Sequence, residues 1–154
     1  MEIRDNILPV LSPSGGEEEV EAIRDVIESG WWGKGPKVEE FEQKFADMVG
    51  HKYAIAVTSN SHGQDLIMKA MGFRDVDVIN PAISFIATAM IPLWNNCTTN
   101  IVDVKKDTLC IDPEDVARYK KPNSEVLISV DEAGVLADYA DLRKKFGGYI
   151  IQDC

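Results

Sequence analysis

Two hydrophobic periodicities alternate along the chain and predict helices separated by strands. Apolar residues three and four positions apart predict amphipathic helices, whereas short apolar runs bounded by Gly, Pro or Asn predict strands. The predicted helices cover residues 17–29, 36–49, 61–71, 85–94, 113–121 and 138–146. The predicted strands cover residues 53–57, 76–80, 99–104, 125–130 and 147–154, and residues 7–11 form a short extended lead-in.

This order predicts an α/β fold, a three-layer α/β/α arrangement with a mostly parallel sheet. Parallel strands need crossover connections, and the crossover helices cover both faces of the sheet. In such sheets, ligands bind beyond the carboxyl ends of the strands. Polar residues that follow different strands are therefore candidates for one site, and they are Asn60 with Ser61, residues 80–85, Asp131 and Asp153.

The segment from Val57 to Gln64 runs from a predicted strand directly into a predicted helix. The first amide groups of a helix have no partners within it, and the helix dipole places partial positive charge there. Ser61 and Gln64 have the spacing of a capping box, which marks a helix start. The residues alone leave two interpretations open, a cradle for a phosphate group and an ordinary capped turn.

The two N-terminal helices are joined by a loop that contains Trp31, Trp32 and Lys34. Such a loop either lines a pocket, with Lys34 available to an anionic ligand, or covers tryptophans that pack beneath it. In the second helix Phe41 and Phe45 share one apolar stripe, so we expect both rings in the core.

Length and net charge limit the number of domains and the classes of partner. The chain has 154 residues, enough for one domain. Its net charge of −10 argues against nucleic acid or an anionic membrane as the main partner. The chain has no apolar run of about 20 residues and its acidic first residues do not resemble a signal peptide. We therefore expect no membrane association.

The cysteines and histidines do not predict a metal site. Cys97, Cys110 and Cys154 are odd in number and scattered, and His51 and His62 are the only histidines. This usage is typical of reduced thiols in a cytoplasmic protein rather than of a disulfide framework or a zinc site.

Several segments, in order and at consistent spacing, resemble the DegT/StrS-type sugar aminotransferases, which are pyridoxal-phosphate (PLP) enzymes of the aspartate-aminotransferase fold. The resemblance begins with Ser29-Gly30-Trp31 and Gly35 to Glu42 and spans nearly the whole chain. The further matching segments are residues 53–59, 81–89, 102–104, 107–109, 111–113, 134, 137–138 and 150–153.

The resemblance implies roles for four residues. Asn60 and Ser61 match the loop that holds the PLP phosphate, Phe85 matches an aromatic that stacks on the pyridine ring, and Asp153 matches a carboxylate that pairs with the pyridine nitrogen. Without the resemblance, the residues favour a core position for Phe85, at helical spacing, and a solvated carboxylate at a strand end for Asp153. The resemblance favours the cofactor roles.

The chain also departs from the family pattern at the expected site. Asn60 replaces a usual glycine, His62 replaces a small apolar residue, and Gly63-Gln64 replaces Ala-Leu. Asp131-Glu132-Ala133-Gly134 takes the place of a His-Leu-Tyr-Gly stretch, so a possible cation is replaced by two carboxylates. We expect this exchange to add negative charge near the phosphate.

The resemblance further implies a single large domain over residues 1–154, equivalent to the N-terminal half of the family's PLP-binding domain. The family's Schiff-base lysine and its C-terminal small domain match nothing up to Cys154, so we expect a truncated chain that is inactive alone. The implied substrates are a nucleotide-linked keto sugar and an amino donor, and the implied assembly is a homodimer.

Two other functional classes compete with this interpretation. One is a non-catalytic module, derived from an aminotransferase, that binds a ligand or a partner. The other is an unrelated nucleotide-binding α/β domain, which the absence of a G-x-G-x-x-G or Walker-type loop disfavours.

Overall fold

The computed structural model describes residues 12–154, so the expected extended segment over residues 7–11 lies outside the described residues. The chain divides into two compact units, one ending at Ala56 and the other beginning at Val57. Each unit is described separately below.

The described part of the first unit contains two helices, α1 (Glu17–Ser29) and α2 (Pro36–Met48). The Glu19 carboxylate accepts a hydrogen bond from the Gly16 N–H at 2.6 Å, which closes the start of α1. Gly30 ends α1 in the left-handed conformation, with φ of 70°. Both helices match their predicted positions.

The apolar faces of α1 and α2 are exposed, contrary to the expectation for Phe41 and Phe45. These two rings contact each other, with centroids 5.8 Å apart, yet they stay 57% and 43% exposed. Val20, Ile23 and Ile27 of α1 are also exposed. An apolar stripe enters a core only where another element covers it, and no other helix or strand lies within residues 12–56.

The second unit is built on a four-stranded sheet in the order β2-β1-β3-β4, in which all paired strands are parallel. The strands are β1 (Asp77–Pro81), β2 (Thr98–Val102), β3 (Ser124–Val130) and β4 (Tyr149–Asp153). The helical crossovers between them confirm the predicted α/β class.

Four helices cover the two faces of this sheet. They are α3 (Asn60–Met71), α4 (Ile86–Trp94), α5 (Pro113–Tyr119) and α6 (Tyr139–Phe146). Met68 of α3 and Ile91 of α4 share a core with Val78, whereas Val116 of α5 and Phe146 of α6 share the opposite core with Ile79. Consecutive residues of β1 thus face opposite layers, as the pleat requires, and the three-layer arrangement is confirmed.

The predicted strand over residues 53–57 is absent. These residues are irregular, and Tyr53, Ile55 and Val57 are exposed. A strand is stabilised by hydrogen bonds to a neighbouring strand, and among the described residues none pairs with this segment. The apolar run therefore supplies β-propensity without the pairing that completes a strand.

Asp77 anchors the edge of the sheet where the strands begin. Its buried carboxylate accepts hydrogen bonds from Lys121 Nζ and Ser124 Oγ, both at 2.6 Å, from Asn100 Nδ2 at 2.9 Å and from Thr98 Oγ1 at 3.1 Å. Burial alone raises the pKa of a carboxyl, but these donors outweigh it, and the pKa of Asp77 is lowered. This edge is a structural network, and the candidate site lies at the opposite edge.

Candidate functional site

The start of α3 lies two residues earlier than the capping-box spacing predicts. Ser59 is the N-cap, and its Oγ accepts a hydrogen bond from the His62 N–H at 3.3 Å. The predicted Ser61–Gln64 capping box is therefore wrong, because Ser61 already lies within the helix. Within residues 12–154, the N–H groups of Asn60 and Ser61 find no acceptor, so two donors stay available at the positive end of the helix.

The Asp153 carboxylate is held by two side-chain amides from α3. Asn60 Nδ2 donates to Asp153 Oδ1 at 2.7 Å, and Gln64 Nε2 donates to Asp153 Oδ2 at 2.8 Å. Gln64 Nε2 also donates to Asn60 Oδ1 at 2.7 Å, which links the two amides. The structure thus brings together Asn60 and Asp153, two of the four residues predicted for the site.

Sequence reasoning missed Gln64 as a member of this cluster. Its side chain is buried, and its Oε1 atom has no hydrogen-bond partner among residues 12–154. Asn60 and Gln64 are four residues apart and thus lie on one face of α3. That spacing, together with the departure from leucine, is the signal that could have identified Gln64.

Asp131 lies beside Asp153 at the ends of the two neighbouring strands, and its N–H donates to the Asp153 carbonyl oxygen at 2.8 Å. Its buried carboxylate accepts hydrogen bonds from the Ala137 N–H at 2.9 Å, the Tyr139 hydroxyl at 2.8 Å and Gln152 Nε2 at 2.6 Å. Burial raises the pKa of the Tyr139 hydroxyl far above its usual range, and the adjacent Asp131 raises it further. The Asp131 carboxylate is therefore held by three neutral donors, two from residues 137 and 139 and one from β4.

Phe85 and Ser61, the other two residues predicted for the site, do not take part in the hydrogen bonds that join Asn60, Gln64 and Asp153. Phe85 precedes α4, after the carboxyl end of β1, and its ring is 71% exposed. The Phe85 ring is thus exposed and is not the core residue that helical spacing alone allows. Ser61 is half-buried in the first turn of α3, next to Asn60.

His62 is the basic residue nearest the start of α3. Its Nδ1 atom lies 2.6 Å from Thr58 Oγ1 and 3.2 Å from Ser59 Oγ. These hydroxyls hold the imidazole against the loop that precedes the helix.

The loop between α1 and α2 lines a pocket, and its tryptophans are not packed beneath it. Trp31 and Trp32 are 61% and 76% exposed and line a cavity of about 470 Å³ within the first unit. Trp31 Nε1 donates to the Lys34 carbonyl oxygen at 2.7 Å. Lys34 Nζ is 3.3 Å from a Glu42 carboxylate oxygen, so this lysine already has an anionic partner.

The described part of the chain offers neither a metal site nor a membrane-spanning helix. Residues 12–154 contain no group of three or more His, Cys, Asp and Glu side chains arranged to hold a metal ion. Among the helices from α1 to α6, none has the length and apolar character needed to cross a membrane.

Comparison with known proteins gives consistent matches. The sequence profile of the DegT/DnrJ/EryC1/StrS aminotransferase family matches residues 13–154. The chain is similar to 3-amino-5-hydroxybenzoic acid synthase, with 32% identity and a TM-score of 0.85 over 92% of this chain and 38% of that one.

Two further solved structures have the same fold. One is the E. coli GDP-4-keto-6-deoxy-D-mannose-3-dehydratase with bound hydrated PLP, at 25% identity and a TM-score of 0.89 over 95% of this chain and 40% of that one. The other is S. venezuelae DesV, at 28% identity and a TM-score of 0.84 over 89% of this chain and 38% of that one. The chain thus spans about two fifths of the length of each of these proteins.

Proposed function

Because this chain belongs to the DegT/DnrJ/EryC1/StrS aminotransferase family, we propose that it supplies part of the PLP site of a sugar aminotransferase. The observation that carries the proposal is the hydrogen bond between Asn60, at the start of α3, and the Asp153 carboxylate. That bond supports the proposal because it joins the start of α3, which we assign to the phosphate, to the carboxylate that we assign to the ring nitrogen. These are the two partners that a phosphorylated pyridine requires.

The polar groups of these residues suit PLP, because they offer donors for its phosphate and an acceptor for its ring nitrogen. The Asn60 and Ser61 amides, with the Ser61 hydroxyl, are donors suited to phosphate oxygens. Asp153 offers an acceptor of opposite charge to a protonated ring nitrogen. When bound, PLP supplies an electron sink for chemistry at the carbon that carries the amino group.

Each of the four residues has a separate task in this proposal. Asn60 and Ser61 bind and orient the phosphate group through the start of α3. Asp153 accepts a hydrogen bond from the ring nitrogen and holds the proton there, since an adjacent carboxylate favours the protonated ring. The exposed Phe85 ring stacks on the pyridine and shields one of its faces from water.

Asp131 fits the proposal because its carboxylate already has hydrogen-bond donors within the second unit. Neutral groups of residues 137, 139 and 152 donate to it, so it does not need a donor from the cofactor. Asp131 supports β4 through its N–H rather than contacting the cofactor.

Other properties of the whole protein are proposed from the family. The chain spans 38% to 40% of the solved relatives described above, so we place its residues in one larger PLP-binding domain. The Schiff-base lysine is proposed to come from outside residues 1–154, which leaves this chain inactive by itself. A nucleotide-linked keto sugar and an amino donor are the proposed substrates.

The proposed assembly is a homodimer in the cytoplasm. The exposed apolar side chains of α1 and α2 support self-association, and the free thiols of Cys97 and Cys110 support a reducing compartment. Sedimentation at high concentration tests the assembly, and a monomer there contradicts it.

A non-catalytic binding module is the second candidate function. It is favoured by Asp131, which stands where the family pattern has a possible cation. In this alternative the chain binds PLP or phosphate and performs no transamination. A longer product that contains a downstream lysine and turns over substrate would exclude the alternative.

A titration of the 15N-labelled chain with PLP tests cofactor binding. We expect saturable shifts of the backbone amides of residues 60–63, and weaker competition by inorganic phosphate at the same amides. Pyridoxal, which lacks the phosphate, is the matched control ligand and leaves these amides largely unshifted. No shift at millimolar PLP contradicts the proposed function.

A further inference from the structure

We propose that Asn60 and Gln64 are positioning residues, which fix the orientation of the Asp153 carboxylate so that one of its oxygens accepts a hydrogen bond from a ring N–H donor. The inference rests on the proposed PLP site and goes further, because it assigns a role to two residues that depart from the family pattern. It begins from the three hydrogen bonds that join Asn60, Gln64 and Asp153.

The chemistry of these contacts fixes the orientation of both amides. Each Asp153 oxygen lies within 2.8 Å of an amide nitrogen. Turning either amide over would place its carbonyl oxygen against a carboxylate oxygen, which is repulsive. Gln64 Nε2 uses both of its hydrogens, one on Asp153 Oδ2 and one on Asn60 Oδ1. The cluster therefore has a single favourable arrangement.

The backbone makes the arrangement rigid. Asn60 and Gln64 lie one turn apart on α3, and Asp153 is the last residue of β4. Two donors that approach the two oxygens separately restrict rotation of the carboxylate, whereas a single donor would leave it free to turn. An unclamped aspartate at a strand end would need to be ordered when the ligand binds.

The burial of Gln64 shows that the arrangement has a cost in stability. Only 4% of this residue is exposed, and its Oε1 atom has no partner among residues 12–154. Leucine, the usual family residue here, would fill the space without burying an unsatisfied acceptor. A buried polar atom without a hydrogen-bond partner is uncommon in folded proteins, and such atoms are typical of functional sites.

The clamp leaves hydrogen-bond acceptor capacity on the carboxylate. A carboxylate has about four lone-pair positions, and Asn60 and Gln64 occupy one on each oxygen. One position on each oxygen remains for a further donor. The clamp therefore orients Asp153 without saturating it.

The test compares PLP binding by the full chain and four variants. Gln64→Leu removes one donor, Gln64→Glu keeps the shape but turns a carboxylate toward Asp153, and Asn60→Gly removes the other donor at an exposed position. Gln43→Leu is the matched control, since Gln43 Nε2 makes the same kind of bond to Asp47 Oδ1, at 2.9 Å, on an exposed helix face. Circular dichroism checks that each variant is folded.

We expect the Kd for PLP to rise about tenfold in Gln64→Leu, equivalent to about 1.4 kcal/mol, and further in Gln64→Glu. Asn60→Gly weakens binding in the same direction and carries the test if the Gln64 variants do not fold. Gln43→Leu binds as the wild type does. With ring-15N-labelled PLP, the nitrogen resonance of the bound ligand shifts in Gln64→Leu and not in Gln43→Leu, a change that lost packing alone would not produce.

The outcomes separate this inference from the proposed function. If the wild-type chain binds no PLP, both are wrong. If the wild type binds PLP, and Gln64→Leu and Asn60→Gly bind it equally well with an unchanged ring nitrogen resonance, the positioning role is wrong and the proposed function stands.

Discussion

The Asp131 N–H donates to the Asp153 carbonyl oxygen at 2.8 Å, so two carboxylate-bearing residues stand side by side at the ends of β3 and β4. Their side chains have separate partners. Asp153 is held by amides of α3, whereas Asp131 is held by donors from residues 137, 139 and 152. The two carboxylates are thus held by different groups, and our proposal assigns only Asp153 to the ligand.

Replacing Tyr139 tests how the Asp131 charge is held. Tyr139→Phe removes the hydroxyl that donates to the buried Asp131 carboxylate at 2.8 Å. We expect the free energy of unfolding in urea to fall by about 1.5 kcal/mol, since a hydrogen bond to a charged group is lost. Tyr119→Phe is the control, because the Tyr119 ring is exposed and its hydroxyl has no partner within residues 12–154. Equal effects of the two changes would contradict the role given to Tyr139.

Asp77 makes stability depend on pH in the acidic range. The pKa of Asp77 is lowered in the folded chain, so the unfolded chain takes up the proton first as the pH falls. The stabilisation by Asp77 is therefore complete above the usual aspartate pKa of about 3.9 and is lost as the pH drops through the lower folded value. Urea unfolding of wild type and Asp77→Asn at a series of pH values measures this dependence.

We expect the free energies of unfolding of wild type and Asp77→Asn to differ most at neutral pH. We expect Asp77→Asn to lose about 2 kcal/mol at pH 7, because the buried Asp77 carboxylate loses its charge and its pairing with the half-exposed Lys121, and the difference to shrink toward pH 2. The control is Glu40→Gln, which breaks the exposed Glu40–Lys44 pair and should cost less than about 0.5 kcal/mol. A difference that is independent of pH would show that Asp77 acts through packing alone.

Gly148 has no room for a side chain. A Cβ at this position would lie 2.5 Å from the Glu125 carbonyl oxygen and 2.7 Å from the Phe146 ring. We expect Gly148→Ala to lower the free energy of unfolding by about 1–3 kcal/mol, because the start of β4 must shift. Gly33→Ala, where nothing lies within 4 Å of the added atom, should change it by less than about 0.5 kcal/mol.

Two substitutions of Ser59 distinguish helix capping from phosphate binding. Its Oγ accepts the His62 N–H, so Ser59→Ala should lower stability by about 1 kcal/mol. Ser59→Asp preserves the cap but places a carboxylate beside the proposed phosphate, and we expect stability close to wild type with about tenfold weaker PLP binding. Unchanged PLP binding in Ser59→Asp would place the phosphate away from this helix start.

Most of the fold can be predicted from the sequence, because local patterns specify it. The helices predicted from residues 17 and 113 begin at Glu17 and Pro113 in the structure, because the residues that start a helix act within one turn. Residues 53–57 and the stripe of Phe41 and Phe45 were predicted wrongly. Strand formation and burial depend on a covering or pairing element that the local pattern does not reveal.

The candidate site was only partly predictable for the same reason. Family resemblance supplied Asn60 and Asp153, and the structure joins them by a hydrogen bond. The contact between Gln64 and Asp153 spans 89 positions in the sequence. Only the fold brings the two residues together, and the capping-box pattern had assigned Gln64 to a different role.

A crystal structure of the chain soaked with PLP tests the central claim most directly. We predict the phosphate at the N–H groups of Asn60 and Ser61, and the ring nitrogen about 2.8 Å from an Asp153 carboxylate oxygen. The two amides from Asn60 and Gln64 remain in place on that carboxylate. PLP bound elsewhere, or a ring nitrogen without contact to Asp153, would contradict the account.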